Sequence, residues 1–277
     1  MGMRINTNIA AMNAFRSLTG SSERLSKSLE KLSSGFRINR ASDDAAGLSI
    51  SESLRAQASG FGMAQRNAQD GISVIQVAEG ALSETHSLLQ RMRELAVQSA
   101  NTGANDQSAR DAIGSEIEQS LIELDRIAQA TVFQSTELLS TNHFLTFHVG
   151  AGTQVYNRIG VSVSSALAQT GLGLTAASVV AAITAGSIGV VDQIDQAIVS
   201  VSSMRNRFGA FQNRLEHAIA SLGVAKENLT ASESRIRDAD MAHEMSDFTR
   251  NQIMHQAGVA MLAQANQVPQ AALQLLG

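Results

Sequence analysis

The stretch Val259–Gly277 reads VAMLAQANQVPQAALQLLG. Val259, Met261, Leu262, Val268, Leu273, Leu275 and Leu276 place apolar side chains on a helix-length segment that runs to the end of the chain. A chain end stays ordered only when something holds it, so the fold turns on what this tail packs against. The other end of the chain offers a partner. Residues 8–33 are predicted as a helix, with apolar residues at Ile5, Ile9, Met12, Phe15 and Leu18, a weak point at Thr19–Gly20, and a renewed pattern at Leu25, Leu29 and Leu32. Steps of three and four form an amphipathic stripe. A helix of ~25 residues is ~40 Å long, and two such helices bury one stripe each. The tail, however, is apolar around much of its circumference, and an apolar surface of that extent marks a contact with other molecules. The tail is therefore expected to pack first against the N-terminal helix and then against other subunits. The contact residues are predicted as Ile5, Ile9, Met12, Phe15, Leu25, Leu29, Leu32, Val259, Leu262, Leu273, Leu275 and Leu276.

Between the ends the periodicity changes three times. At 35–44 it fails among Gly, Ser, Asn and Asp, which reads as a linker. Ser42 is the expected N-cap of the next helix, with Asp43 and Asp44 in its first turn. A long helix is predicted over 45–100, where Ile75, Leu82 and Leu89 are seven apart and Ala78, Met92 and Leu95 fill the same side. A second is predicted over 109–130 on Ile113, Ile117, Leu121, Leu124 and Ile127. HFLTFHVG (143–150) and RIGVSVSS (158–165), separated by the turn-forming GAGTQ, read as a β-hairpin near 142–165. From Val190 the helical pattern returns. Leu215, Leu222, Leu229 and Ile236 share one heptad position, and Phe211, Ala218 and Ala225 another, the seam of a coiled coil. The predicted fold is mainly α. Long antiparallel helices and a coiled coil arise from the N- and C-terminal segments, with a small β-hairpin in the middle. The expected domains are 1–34 with 236–277, a linker at 35–44, and a helical domain at 45–235 whose residues 166–189 form a short separate segment.

Composition narrows the function classes. The 277 residues carry a formal charge of −4, which disfavours nucleic acid as a partner. Hydrophobic residues at 44% can build a core, and a single Pro permits long helices. Cys is absent, which removes disulfides, thiol catalysis and Cys-based zinc sites together. The N-terminus is polar and lacks a signal peptide's apolar core. The uncharged stretch Ile159–Val191 is too rich in Ser, Thr, Gln and Gly for a membrane span, so no membrane insertion is expected. SLEK at 28–31 matches a short acyl-enzyme pattern without its companion motifs. The pairs Asp43/Asp44 and Asp238/Asp240 read as helix caps. His143 and His148 fall on opposite faces of one strand, and His243 and His255 lack a third ligand nearby. GAG at 150–152 and GLG at 171–173 are too short for a phosphate loop. No catalytic, metal or cofactor site is expected.

Long strings then carry a resemblance. INTNIAAMNAFRSL, LSKSLEKLSSGFRINRASDDAAGLSISESLRAQ, NAQDGISVIQVAEGAL and QRMRELAVQSANTG near the start, with NLTASESRIRDADMAHEM, QAGVAMLAQANQVPQ and LQLL near the end, resemble bacterial flagellin, the subunit of the flagellar filament. The likeness covers about the first 130 and last 85 residues. It implies a structural, extracellular, secreted protein that polymerises into a helical homopolymer for swimming motility. The terminal coiled-coil domain would line the inner tube. Only Ala166–Gly189 stands where many members insert outer domains, so the chain resembles a minimal form. The resemblance also implies an export chaperone gripping 236–277, filament cap and junction proteins, and recognition of the monomer by the vertebrate flagellin-sensing Toll-like receptor through Arg91, Leu95 and Glu116. One departure is VFQST at 132–136, where many members have a Phe-Asn-Gly turn. The rival readings are a hook–filament junction protein, which shares the terminal helices, a secreted adhesin or immune ligand, which needs a larger outer region, and an enzyme, which needs a polar pocket.

Overall fold

A computed structural model describes residues 8–140, 143–163 and 171–274, including all their side chains except those of 143, 163 and 268–274. Its elements run α1 (Ile9–Ser34), α2 (Ala45–Ala100), α3 (Gln107–Ala130), β1 (Val132–Phe133), β2 (Thr136–Glu137), β3 (His143–His148), a 3-10 turn at Val155–Asn157, β4 (Arg158–Val163), α4 (Ala176–Thr184), α5 (Gly189–Arg237) and α6 (Met241–Gln274). They form two compact units, one of 1–57 with 227–277 and one of 58–226, so α2 and α5 each contribute to both.

The second unit holds the apolar core. Along α2, Ala64, Ala68, Gly71, Ile75, Ala78, Leu82, Thr85, Leu89, Met92, Ala96 and Ser99 are all buried, spaced alternately by four and three residues. That is an unbroken heptad seam. Along α5 the same spacing joins Val190, Ile194, Ala197, Val201, Met204 and Phe208 and continues in steps of seven to Leu215 and Leu222, so the seam expected from Phe211 onward begins at Val190. Ile117, Leu121 and Leu124 of α3 complete the core with Ile159 and Val161 of β4. Each fully buried Leu or Ile contributes about 1.5–3 kcal/mol. Leu95 belongs here as well, at 2% exposure.

The predicted hairpin is present as β3 and β4, paired antiparallel from His143↔Val163 to His148↔Arg158. Asn67 of α2 donates a hydrogen bond to the His148 carbonyl at 3.0 Å. A Cβ at Gly71 would stand 3.1 Å from Phe147, so glycine lets the strand lie close to the helix. Residues 142, 164 and 165 of the predicted span lie outside the described residues. Within the segment 166–189, α4 buries Val179 and Ile183, and Arg110 of α3 donates to the Thr184 carbonyl at its end (3.2 Å). An unpredicted hairpin joins β1 to β2. Its turn places Gln134 at φ 54°, in the left-handed region that favours glycine.

In the first unit the two connectors lie antiparallel. Gly35, at φ 74°, ends α1 and donates to the Lys31 carbonyl. The Arg37 amide donates to the Arg237 carbonyl at 2.6 Å and the Ala239 amide to the Gly35 carbonyl at 2.9 Å. The Arg237 guanidinium stands 4.7 Å from the Phe36 ring centre and pairs with Glu52 at 2.5 Å. The cap of α2 differs from the expected Ser42. Asp44 accepts the Gly47 amide at 2.9 Å, because Asp43 is engaged in closing the preceding turn onto the amides of Arg40 and Asn39. The Arg40 amide, chiefly, holds the Asp43 carboxyl below its ordinary range.

Two outcomes are expected. Gln134→Gly relieves the left-handed turn and raises stability by about 0.5–1 kcal/mol, read as a higher thermal midpoint, while Gln134→Ala leaves it unchanged. Asp43 is depressed in the folded state, so its contribution is full above the ordinary carboxylate range and is lost as pH falls through the folded value. The amide resonance of Arg40, followed by NMR during acid titration, should move with a midpoint below that of an unstructured Asp.

Candidate assembly surface

Helices α1 and α6 pack along their lengths in the first unit. Ala11, Ala14, Leu18, Ser21, Leu25, Ser28 and Leu32 of α1 are turned from solvent on an alternation of three and four, with Gly20, Glu30 and Lys31 half-buried beside them. In α6, Glu244, Phe248, Asn251, His255, Gly258, Leu262 and Ala265 keep the same alternation. The pair is a coiled coil by spacing, yet its seam is mostly small or polar. Ser21 donates to the Asn251 carbonyl at 3.2 Å, and Lys31 pairs with Glu244 at 3.7 Å. A Cβ on Gly258 would lie 3.2 Å from Leu18, so the backbones approach closely there.

Asn8 fastens the free end of the pair. Its side-chain oxygen accepts the Ala11 amide at 3.0 Å, capping α1, while its side-chain nitrogen donates to the Ala265 carbonyl at 2.7 Å. That carbonyl is available because Pro269, four residues on, has no N–H to offer it. One amide thus satisfies two orphan backbone groups on different helices.

Many large apolar side chains point elsewhere. Ile9, Met12, Phe15 and Leu29 of α1 are exposed, Phe15 by 61%. So are Met241, Met245, Ile253, Met254, Val259 and Met261 of α6, Met261 by 63%. Met245 and Val259 each follow a seam residue by one position and lie on one flank of α6, about 100° round from the seam. Met254 and Met261 each precede one and lie on the opposite flank, while Ile253 is on the back. An open groove of about 760 Å³ runs beside Met12, Phe15, Thr19, Leu262 and Asn266.

Of the predicted contact residues, Leu25, Leu32 and Leu262 sit in the seam, and Ile9, Met12, Phe15, Leu29 and Val259 face outward. Ile5, Leu275 and Leu276 lie outside the described residues, and Leu273 is described in its backbone alone. The predicted contact residues do not include Met241, Met245, Ile253, Met254 or Met261. Their signal is the three-and-four alternation of the seam, which leaves Met245, Ile253, Met254 and Met261 off it and places Met241 in its register at the exposed first residue of α6.

In the second unit Arg91 Nε and Nη2 donate to one Glu116 oxygen at 3.1 and 2.8 Å. Both side chains are exposed, and the hydrogen bond to Glu116 is the main cause holding Arg91 above its ordinary range. Leu95 does not join them at the surface. It lies beside the heptad seam of α2 and is buried, so in this packing it supports the core. Among the described residues, no group of His, Asp and Glu could hold a metal ion, and no helix is long and apolar enough to cross a membrane.

Comparison with known proteins meets this geometry. Residues 5–143 match the family profile of the bacterial flagellin N-terminal helical region, and 191–276 that of the C-terminal helical region. A flagellin of Bacillus subtilis is 46% identical over 303 residues, covering 99% of this chain and all of that one. A flagellin of Halalkalibacterium halodurans is 50% identical over 275 residues, covering 99% and 100%. A solved structure described as a flagellar hook-associated protein from Vibrio parahaemolyticus shares the fold at a TM-score of 0.61 and 15% identity, covering 71% of this chain and all of that one. The chain belongs to the bacterial flagellin family of structural, non-enzymatic filament proteins, in a minimal form.

Proposed function

We propose that this chain polymerises through α1 and α6 into the helical filament of a bacterial flagellum, outside the cell, and serves swimming motility by passive mechanics. The observation that carries the reading is the inversion of the α1–α6 pair. Its seam is mostly small or polar, interrupted by Leu18, Leu25, Leu32, Phe248 and Leu262, while further bulky apolar side chains line both flanks of α6 and the outer face of α1. Two different flanks require two different neighbours. Contacts of that kind are heterologous and propagate into open helical polymers instead of closing as dimers. Each outward Ile, Phe or Met gains about 1.5–3 kcal/mol when a neighbour buries it. The terminal coiled-coil domain, 1–34 with 236–277, then forms the inner tube, and 45–235 the shell outside it. Before assembly the same exposed α6 face suits an export chaperone gripping 236–277, and at the filament's ends it suits cap and junction proteins.

The deciding experiment is seeded polymerisation of purified monomer, read by electron microscopy. Ile253→Glu, on the back of α6 away from the seam, should leave helicity and thermal midpoint within about 0.5 kcal/mol of the parent while abolishing tube growth. Truncation after Asp240 should abolish it too. Tubes from both variants at the parental rate would overturn the reading, and no tubes from the intact protein would favour the junction-protein reading, which the shared fold supports.

The exposed Arg91–Glu116 pair supports recognition of the monomer by the vertebrate flagellin-sensing Toll-like receptor. Arg91→Ala should lower receptor activation in reporter cells with little change in stability. Leu95→Ala should instead cost about 2–5 kcal/mol of stability, the range for emptying a buried Leu site, so its effect on the receptor is read through thermal melting and not through a lost contact.

A further inference from the structure

We propose that the exposed methionines of α1 and α6 form an oxidation-sensitive modification site that blocks addition of a monomer to the polymer; this rests on the assembly reading above. The chain has no Cys and ten Met, so thioethers are its only readily oxidised sulfur. Their placement is uneven. Met92 and Met204 are buried in the core of the second unit. Met12, Met241, Met245, Met254 and Met261 are exposed on the outward faces of the α1–α6 pair, at 39–63%. Met63 is exposed in the second unit, with the Arg66 guanidinium on its sulfur, and serves as an internal comparison.

Hydrogen peroxide is the oxidant. The thioether sulfur attacks one peroxide oxygen, the O–O bond breaks, and the leaving hydroxide takes up the remaining proton as water. The sulfur is oxidised to a sulfoxide and the peroxide is reduced to water. The product is polar and chiral where the thioether was apolar and pliable. In the monomer the new S=O is hydrated, so the fold, whose seam contains none of the five sulfurs, is unaffected. Burial against a neighbour strips that water, and an unpaired sulfoxide then weakens subunit addition by about tenfold, the factor that ~1.4 kcal/mol represents. Several modified positions on both flanks compound the loss. Burial in the polymer protects the same sulfurs, so the site is open only before assembly. Methionine sulfoxide reductases reverse the step, consuming a dithiol and releasing water.

The test treats monomer and preformed filaments of the full chain with hydrogen peroxide and maps added oxygen by peptide mass spectrometry. Seeded growth is then measured, with circular dichroism confirming retained helix. The expected result is oxidation of the five methionines in monomer but not in filament, with Met92 and Met204 unmodified in both. Growth of treated monomer should fall at least tenfold and return after incubation with the two reductases and dithiothreitol. A variant with Leu at all five positions keeps apolar volume and should grow after treatment. Treated parent, oxidised at the five sites, growing at the untreated rate would overturn the inference and leave the assembly reading intact. A Leu variant that grows untreated but loses growth on treatment would also overturn it and point to Met1, Met3 or Met63, which the peptide map distinguishes. Untreated parent that forms no polymer would overturn the assembly reading itself, and this inference with it.

Discussion

A helix pair whose seam alternates a few Leu and one Phe with Ala, Ser, Gly, Asn, His and Glu hides only part of its apolar area within itself. In α1 and α6 that constraint decides the rest of the first unit. Small residues let the backbones come close, as Gly258 does against Leu18, and hydrogen bonds such as that from Ser21 to the Asn251 carbonyl fix the register. The bulky residues that fall off the seam, Phe15, Ile253 and Met261 among them, face outward. The surface that results is unfavourable for an isolated molecule and suited to one that is completed by its neighbours.

The second unit applies the same heptad spacing with the opposite filling. There α2 and α5 bring Ile, Leu, Met and Phe to the seam, and α3, α4 and the β3–β4 hairpin cover it. One spacing rule therefore yields a self-sufficient core in one unit and a polymer interface in the other. The difference lies in side-chain size at the seam positions and not in helix geometry.

The sequence made the helices legible because long stripes of period near 3.5 survive many local exceptions. The hairpin at 143–163 was legible through its β-branched and aromatic residues. The short hairpin at 132–137 was not, because Gln134 takes a conformation that glycine or asparagine usually announces. The cap of α2 was misplaced by two residues, since Ser42, Asp43 and Asp44 are all good caps and only the turn shows which one is already engaged. The site was half legible. Apolar residues on α1 and α6 marked the surface, but their periodicity alone did not separate seam from outer face. Leu95 shows the same limit: it stands one turn from the exposed Arg91, each just before a seam residue, and only the packing around the helix shows which of the two is buried.

The hydrogen bond from Asn8 to Ala265 spans 257 positions along the chain. Closing a flexible loop of that length costs about 5 kcal/mol of entropy before any contact repays it. The second unit is built from nearer neighbours, with α3 following α2 and α4 preceding α5, and it needs neither end of the chain. Because α2 and α5 run on from it, its formation fixes where both terminal segments begin and removes most of that entropic cost. The order of folding follows from connectivity. The second unit forms first, and the polymerising pair comes together last, so the assembly surface exists only on a molecule whose core is already complete.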